Sequence, residues 1–128
     1  MTQTKIVYKG KLVTLEQLIK ILEKEFSKHI GEEEGIKIEE ILKKYFDDYE
    51  DWSVWKKYTY IDLIHKCITL LRRKGNVFII NKNRKYFVLK TEEEADYYKG
   101  VLTRDIIAMK NSMLKADRWV KDKMWKKL

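Results

Sequence analysis

Proline is absent from this 128-residue chain, and cysteine occurs once, at Cys67. Without proline there is no polyproline linker and no helix obliged to kink. A single cysteine excludes an internal disulfide and fits a reducing, cytoplasmic setting. Histidine is nearly as scarce: His29 and His65, with Cys67, lack any spacing known for zinc ligands, so no metal site is expected. No apolar run approaches the roughly 20 residues that cross a bilayer, and residues 1–11 alternate polar and apolar groups without the apolar region of a signal peptide. No membrane partner is therefore expected. A glycine-rich phosphate loop, a nucleophile elbow and a carboxylate pair are all missing. The eight tyrosines have no histidine cluster beside them of the kind that serves tyrosine nucleophiles. These absences predict no catalytic residues, no cofactor and no enzyme.

What is present is large apolar groups and a lopsided charge. Hydrophobic residues make up 45% and aromatics 12% of the chain, enough to fold one modest core. Abundant Lys, Ile, Tyr and Glu without proline fit an AT-rich genome, as of a plasmid or bacteriophage. Residues 52–90 hold ten basic side chains and one acid, Asp62, a net +9 against +8 for the whole protein. Charge confined to one region predicts a basic face and a polyanionic partner, nucleic acid first.

Three threonines mark candidate helix starts: Thr14 with Gln17, Thr59 with Asp62 and Thr91 with Glu94 each match a capping box. The first helix is predicted over 14–29, with Leu15, Leu18, Ile19, Leu22 and Phe26 on one face. Gly31 and Gly35 bracket Glu32, Glu33 and Glu34, read as a solvated turn, and a second helix follows to Phe46. Residues 47–58 hold too many large aromatics for a floppy loop and are read as a short helical turn on the core. A third helix over 59–74 ends at Gly75. Residues 77–80 and 86–89 read as strands around the polar tip 81–85, and 5–8 as a further strand or an arm. Residues 91–128 read as one long helix whose apolar positions approach a heptad seam. At 1.5 Å per residue such a helix is on the order of 50 Å long, more than a small domain covers, so a homodimer is expected. Its end, 119–128, mixes Trp119, Val120, Met124 and Trp125 with lysines, and reads as the end of that dimer helix rather than a membrane-surface segment.

Three helices followed by a hairpin with a basic turn resemble the winged helix-turn-helix superfamily. The resemblance is carried by residues 59–90 and, with the two preceding helices, covers about 14–90. It implies an α+β, mostly helical fold: a winged-helix DNA-binding domain over 1–90 and a long C-terminal dimerisation helix over 91–128. The linker 47–58 is longer than the usual turn of about 3–4 residues between the second and third helices. Carried over, the resemblance implies that the third helix enters the major groove through Thr59, Tyr60, Asp62, His65, Lys66, Thr69 and Arg73. Lys56 and Lys57 would grip phosphates, and Asn81, Lys82, Asn83, Arg84 and Lys85 would form the wing tip. Base reading would fall to Tyr60, His65, Lys66, Asn83 or Arg84. The dimer seam would comprise Tyr98, Leu102, Ile106, Met109, Met113, Val120 and Met124.

The expectation is a double-stranded-DNA-binding repressor or regulator acting as a dimer on a symmetric site. The alternatives are a protein-interaction module docking on a polymerase, relaxase or host factor, and an accessory DNA binder in replication or conjugation. Neither the target sequence nor any small-molecule effector is legible.

Overall fold

The computed structural model describes residues 6–8, 10–74 and 77–124. It is an α+β fold of four α-helices and two antiparallel hairpins, divided into two compact units, Met1–Thr91 and Glu92–Leu128. Among the described residues, no helix is long and apolar enough to cross a membrane.

The first unit opens with a hairpin, β1 (Ile6–Tyr8) against β2 (Lys11–Val13), turned at Gly10 with φ +76°. The pattern anticipated β1 but not β2, whose three residues run directly into the cap of α1 (Leu15–Phe26); Lys5 and Lys9 lie outside the described residues. Thr14 forms the expected capping box: its hydroxyl accepts from the Gln17 N–H at 3.1 Å, and Gln17 Oε1 accepts from the Thr14 N–H at 2.8 Å. Leu18, Ile19, Leu22 and Phe26 are buried. The acidic turn is a 3-10 turn, Glu32–Glu34. Around it, residues 29–36 hydrogen-bond to the second hairpin, through Gly31 N–H to Val88 O and between Ile36 and Tyr86 in both directions. A Cβ at Gly35 would stand 2.8 Å from the Lys85 Cβ, so only glycine lets this turn lie against the hairpin.

Helix α2 (Ile38–Tyr45) buries Ile38, Ile41 and Leu42. A 3-10 turn, Tyr49–Asp51, then packs Tyr49 and Trp52 into the core, while Val54 and Trp55, expected there too, are exposed. Helix α3 runs Val54–Lys74, starting five residues before the predicted cap. Ser53 is the functional cap, its hydroxyl accepting from the Lys56 N–H at 3.2 Å. Thr59 lies inside the helix and donates to Trp55 O at 2.9 Å. Tyr60, Ile64, Cys67, Ile68 and Leu71 form the buried side of α3. Phe46, Trp52 and Tyr60 stack at centroid distances of 4.5–5.3 Å, contacts worth about 0.5–1.5 kcal/mol each beyond area burial. Burial pushes the Cys67 thiol up to about 11, making it an unreactive core group.

The second hairpin pairs β3 (Ile79–Lys82) with β4 (Lys85–Val88). Its connection is two residues, Asn83 and Arg84, at φ +55° and +66°. Both positive angles suit a type I′ turn, which matches strand twist; the expected five-residue tip is thus mostly strand. The predicted terminator Gly75 lies outside the described residues. The second unit is α4 (Glu92–Trp119), which continues as a π-helical turn, Val120–Met124. Thr91 stands immediately before it, where a cap belongs, and Glu92, Glu93 and Glu94 occupy the positive end of the helix dipole. Residues 125–128, including Trp125, lie outside the described residues.

One buried charge ties α1 to α2. The Glu25 side chain is 1% exposed and accepts from Lys44 Nζ at 2.6 Å and from the Tyr45 hydroxyl, and its other oxygen lies 2.7 Å from His29 Nε2. Burial raises the affinity of this carboxyl for a proton. The hydrogen bonds from Lys44, Tyr45 and His29, with the Lys44 charge, outweigh it and hold the group down at about 2. A carboxylate depressed in the folded state stabilises the fold above its ordinary value of 4.5, and that stability is lost as pH falls toward about 2. Glu25→Gln should therefore cost about 2 kcal/mol at pH 7, measured by urea unfolding. The gap between the variant and the native chain should close as pH drops from 4.5 toward 2; a gap constant down to pH 2 would remove the carboxylate's charge from the account.

Candidate nucleic-acid interface

Because α3 is buried along one side, its opposite side is a single outward face. Trp55, Tyr58, Thr59, Asp62, His65, Lys66, Thr69 and Arg73 lie there at helical spacing, all exposed. The two threonine hydroxyls donate to carbonyls four residues back, Thr69 to His65 O at 3.1 Å, which leaves their oxygens free to accept from outside. Tyr60 does not belong to this face. It is 5% exposed, and its hydroxyl lies 3.4 Å from the Val7 N–H of the first hairpin. Tyr60 stands four residues before Ile64, on the same side of the helix as Ile64, Cys67, Ile68 and Leu71, so the expectation that it reads bases is corrected.

The second hairpin is rooted beside the outward face. His65 Nε2 and the Tyr86 hydroxyl of β4 share a hydrogen bond at 2.8 Å, and Arg72 turns inward to donate to Ile79 O on β3. The polar face of α3 and the base of the hairpin are thereby continuous. Burial raises the Tyr86 phenol, keeping it neutral and available as a donor.

The cations are less concentrated than their sequence clustering implied. Lys66, Arg73, Arg84 and Lys85 are exposed. Lys56 and Lys57, expected as phosphate grips, turn toward the aromatic 3-10 turn. Lys56 Nζ is 4.9 Å from the Trp52 ring and 3.6 Å from Asp48, and Lys57 Nζ is 4.7 Å from the Tyr49 ring. Both stay near solvent, but on the flank of α3 rather than its outward face. The second hairpin also carries a built-in counter-charge. Lys82 and Lys85 are directly opposed across the hairpin, a like-charge pair that costs stability. Glu32 lies 3.5 Å from Lys82 and accepts from Asn83 Nδ2 at 3.2 Å. The acidic turn is thus a neighbour of the wing and not a detached loop.

Two aromatic residues outside the expected set join the face. Trp55 is 80% and Tyr58 58% exposed, each flanked by lysine in sequence or on the helix. Their signal was present: Trp55 precedes Lys66 at a helical multiple, but this shows only if the helix is extended back to Val54.

Of the predicted seam on α4, Leu102, Ile106, Met109, Met113 and Val120 are exposed and Tyr98 is partly buried; the side chain of Met124 lies outside the described residues. Among the described residues, no three His, Cys, Asp or Glu side chains are grouped to hold a metal ion. No known protein family, curated protein or solved structure matches the chain.

Arg84 occupies the second position of the turn, where a residue with a Cβ is strained and glycine is favoured. Arg84→Gly should therefore stabilise the first unit by roughly 0.5–1 kcal/mol, read as a raised urea midpoint. Destabilisation instead would mean that the Arg84 side chain supports the fold.

Proposed function

We propose that this protein binds double-stranded DNA as a winged-helix-type module, acts as a dimer on a two-fold site, and serves as a repressor or comparable organiser of plasmid or phage DNA. The observation that carries the reading is the His65–Tyr86 hydrogen bond. It joins the polar outward face of α3 to the cationic hairpin, so that one surface offers both groove-reading and phosphate-contacting groups. Support also comes from the residues 29–36, which bond along the free edge of β4 and brace the hairpin against α1 and α2. In this reading Thr59, Asp62, His65, Lys66 and Thr69 meet base edges, and Arg73, Lys82, Arg84 and Lys85 meet phosphates. Trp55 and Tyr58 pack on the sugar–phosphate wall, and the flanking Lys56 and Lys57 add long-range attraction.

A second reading rests on Trp55. An aromatic side chain 80% exposed beside Val54 and Tyr58 is the kind of anchor that protein interfaces use, and it favours a protein-interaction module.

Fluorescence anisotropy with random and genomic duplexes at several salt concentrations separates the two. The four cations assigned to phosphates predict a slope of log affinity against log salt of roughly −3 to −4 per protomer. Replacing Lys82, Arg84 and Lys85 together by Ala should flatten that slope by about 3 and weaken all duplexes alike. Replacing Arg73 should flatten it by about 1. No binding to any duplex at low salt would overturn the DNA reading in favour of a protein partner.

A further inference from the structure

We infer that α4 pairs with the α4 of a second copy in antiparallel order, with the two-fold axis near Asn111. This deepens the dimer reading above and rests on it. Among the described residues none of α4 is buried, and residues 102–123 are exposed throughout. Ile106, Met109 and Met113 are about half exposed or more, at 49%, 62% and 69%. An apolar seam of this length is shielded from water only where another surface covers it.

Two features select the occupant and its direction. The first is charge. Residues 92–99 carry Glu92, Glu93, Glu94 and Asp96 against Lys99, a net −3, while 115–124 carry Lys115, Arg118, Lys121 and Lys123 against Asp117 and Asp122, a net +2. Paired helices lie about 8–10 Å apart, within one Debye length at physiological salt. A parallel pair would set acid beside acid and base beside base at that distance. An antiparallel pair sets each acidic end against the basic end of the partner, and the helix dipoles then oppose favourably as well. The second is the seam's own symmetry. Leu102 and Val120 are equidistant from Asn111 in sequence, as are Ile106 and Ala116, and Met109 and Met113. Rotation about an axis through Asn111 therefore lays apolar on apolar along the seam, the self-complementarity that a two-fold interface demands. The starts of the two α4 helices then stand on the order of 50 Å apart, against roughly 10 Å for a parallel pair.

Disulfide trapping decides the matter. Leu102→Cys and Val120→Cys are both exposed positions, and the native Cys67 is fully buried and stays out of the reaction. Each variant is oxidised alone and as an equimolar mixture in the full chain, and native light scattering gives the mass of the unmodified protein. Antiparallel pairing predicts a shift from 15.6 kDa to twice that mass on a non-reducing gel in the mixture, and no such shift for either variant alone. Cross-linking of either variant by itself would overturn the antiparallel order while leaving self-association through α4 intact. No cross-link from a protein that scatters as a dimer would move the interface off α4. No cross-link from a protein that scatters as a monomer would overturn the dimer altogether.

Discussion

Everything proposed for the first unit depends on α3 being buried along one side and only one. Ile64, Cys67, Ile68 and Leu71 press that side against α1 and α2, and Tyr60 extends the contact into the Phe46–Trp52 cluster. Burying side chains of this size stabilises by about 1.5–3 kcal/mol each before entropy is counted. The packing leaves the helix no rotational freedom, so its remaining residues are fixed as an outward face. Function on this unit follows from what that face carries.

The electrostatics refine the picture that the raw charge count gives. A net +9 over residues 52–90 does not become a uniform cationic surface. Lys56 and Lys57 lie over aromatic rings, Arg72 serves a backbone carbonyl, and Lys82 has Glu32 for a neighbour. Of the six that remain, Lys66, Arg73, Arg84 and Lys85 lie on the face of α3 and the hairpin, while Lys74 closes α3 and Lys90 follows β4. The acidic turn beside the second hairpin partly offsets its positive charge; in the DNA-binding reading we propose, such a local counter-charge favours discrimination over indiscriminate binding. Strain at Arg84 points the same way. A turn that would fold more easily with glycine keeps a guanidinium at its tip, a pattern found where local stability is given up for a contact.

Much of the architecture was legible in the sequence, and the misses have physical causes. The capping box at Thr14, the apolar stripe of α1 and the hairpin after α3 all follow from local chemistry that the fold leaves undisturbed. The start of α3 was misread because Thr59 and Asp62 reproduce a capping pattern inside a helix that Ser53 had already begun. That error hid Trp55 and Tyr58 from the outward face, whereas Tyr60 was misplaced because its position four residues before Ile64, on the buried side, was passed over. The wing's tip was read as five residues because Asn81, Lys82 and Lys85 are polar, yet backbone pairing decides strand length there. The contact between Glu32 and the wing could not be read at all, since it joins residues 50 positions apart through the turn that Gly35 permits.

The central claim is that the outward face of α3, together with the hairpin joined to it by His65 and Tyr86, is where a duplex is held. Amide and side-chain NMR shifts on titration with a duplex at low salt test it most directly. The account predicts that the Trp55 indole, the His65 ring, the Thr69 amide and the Arg84 amide shift together while α4 stays unmoved. Shifts confined to α4, or none on α3 while the duplex is demonstrably bound, would contradict it.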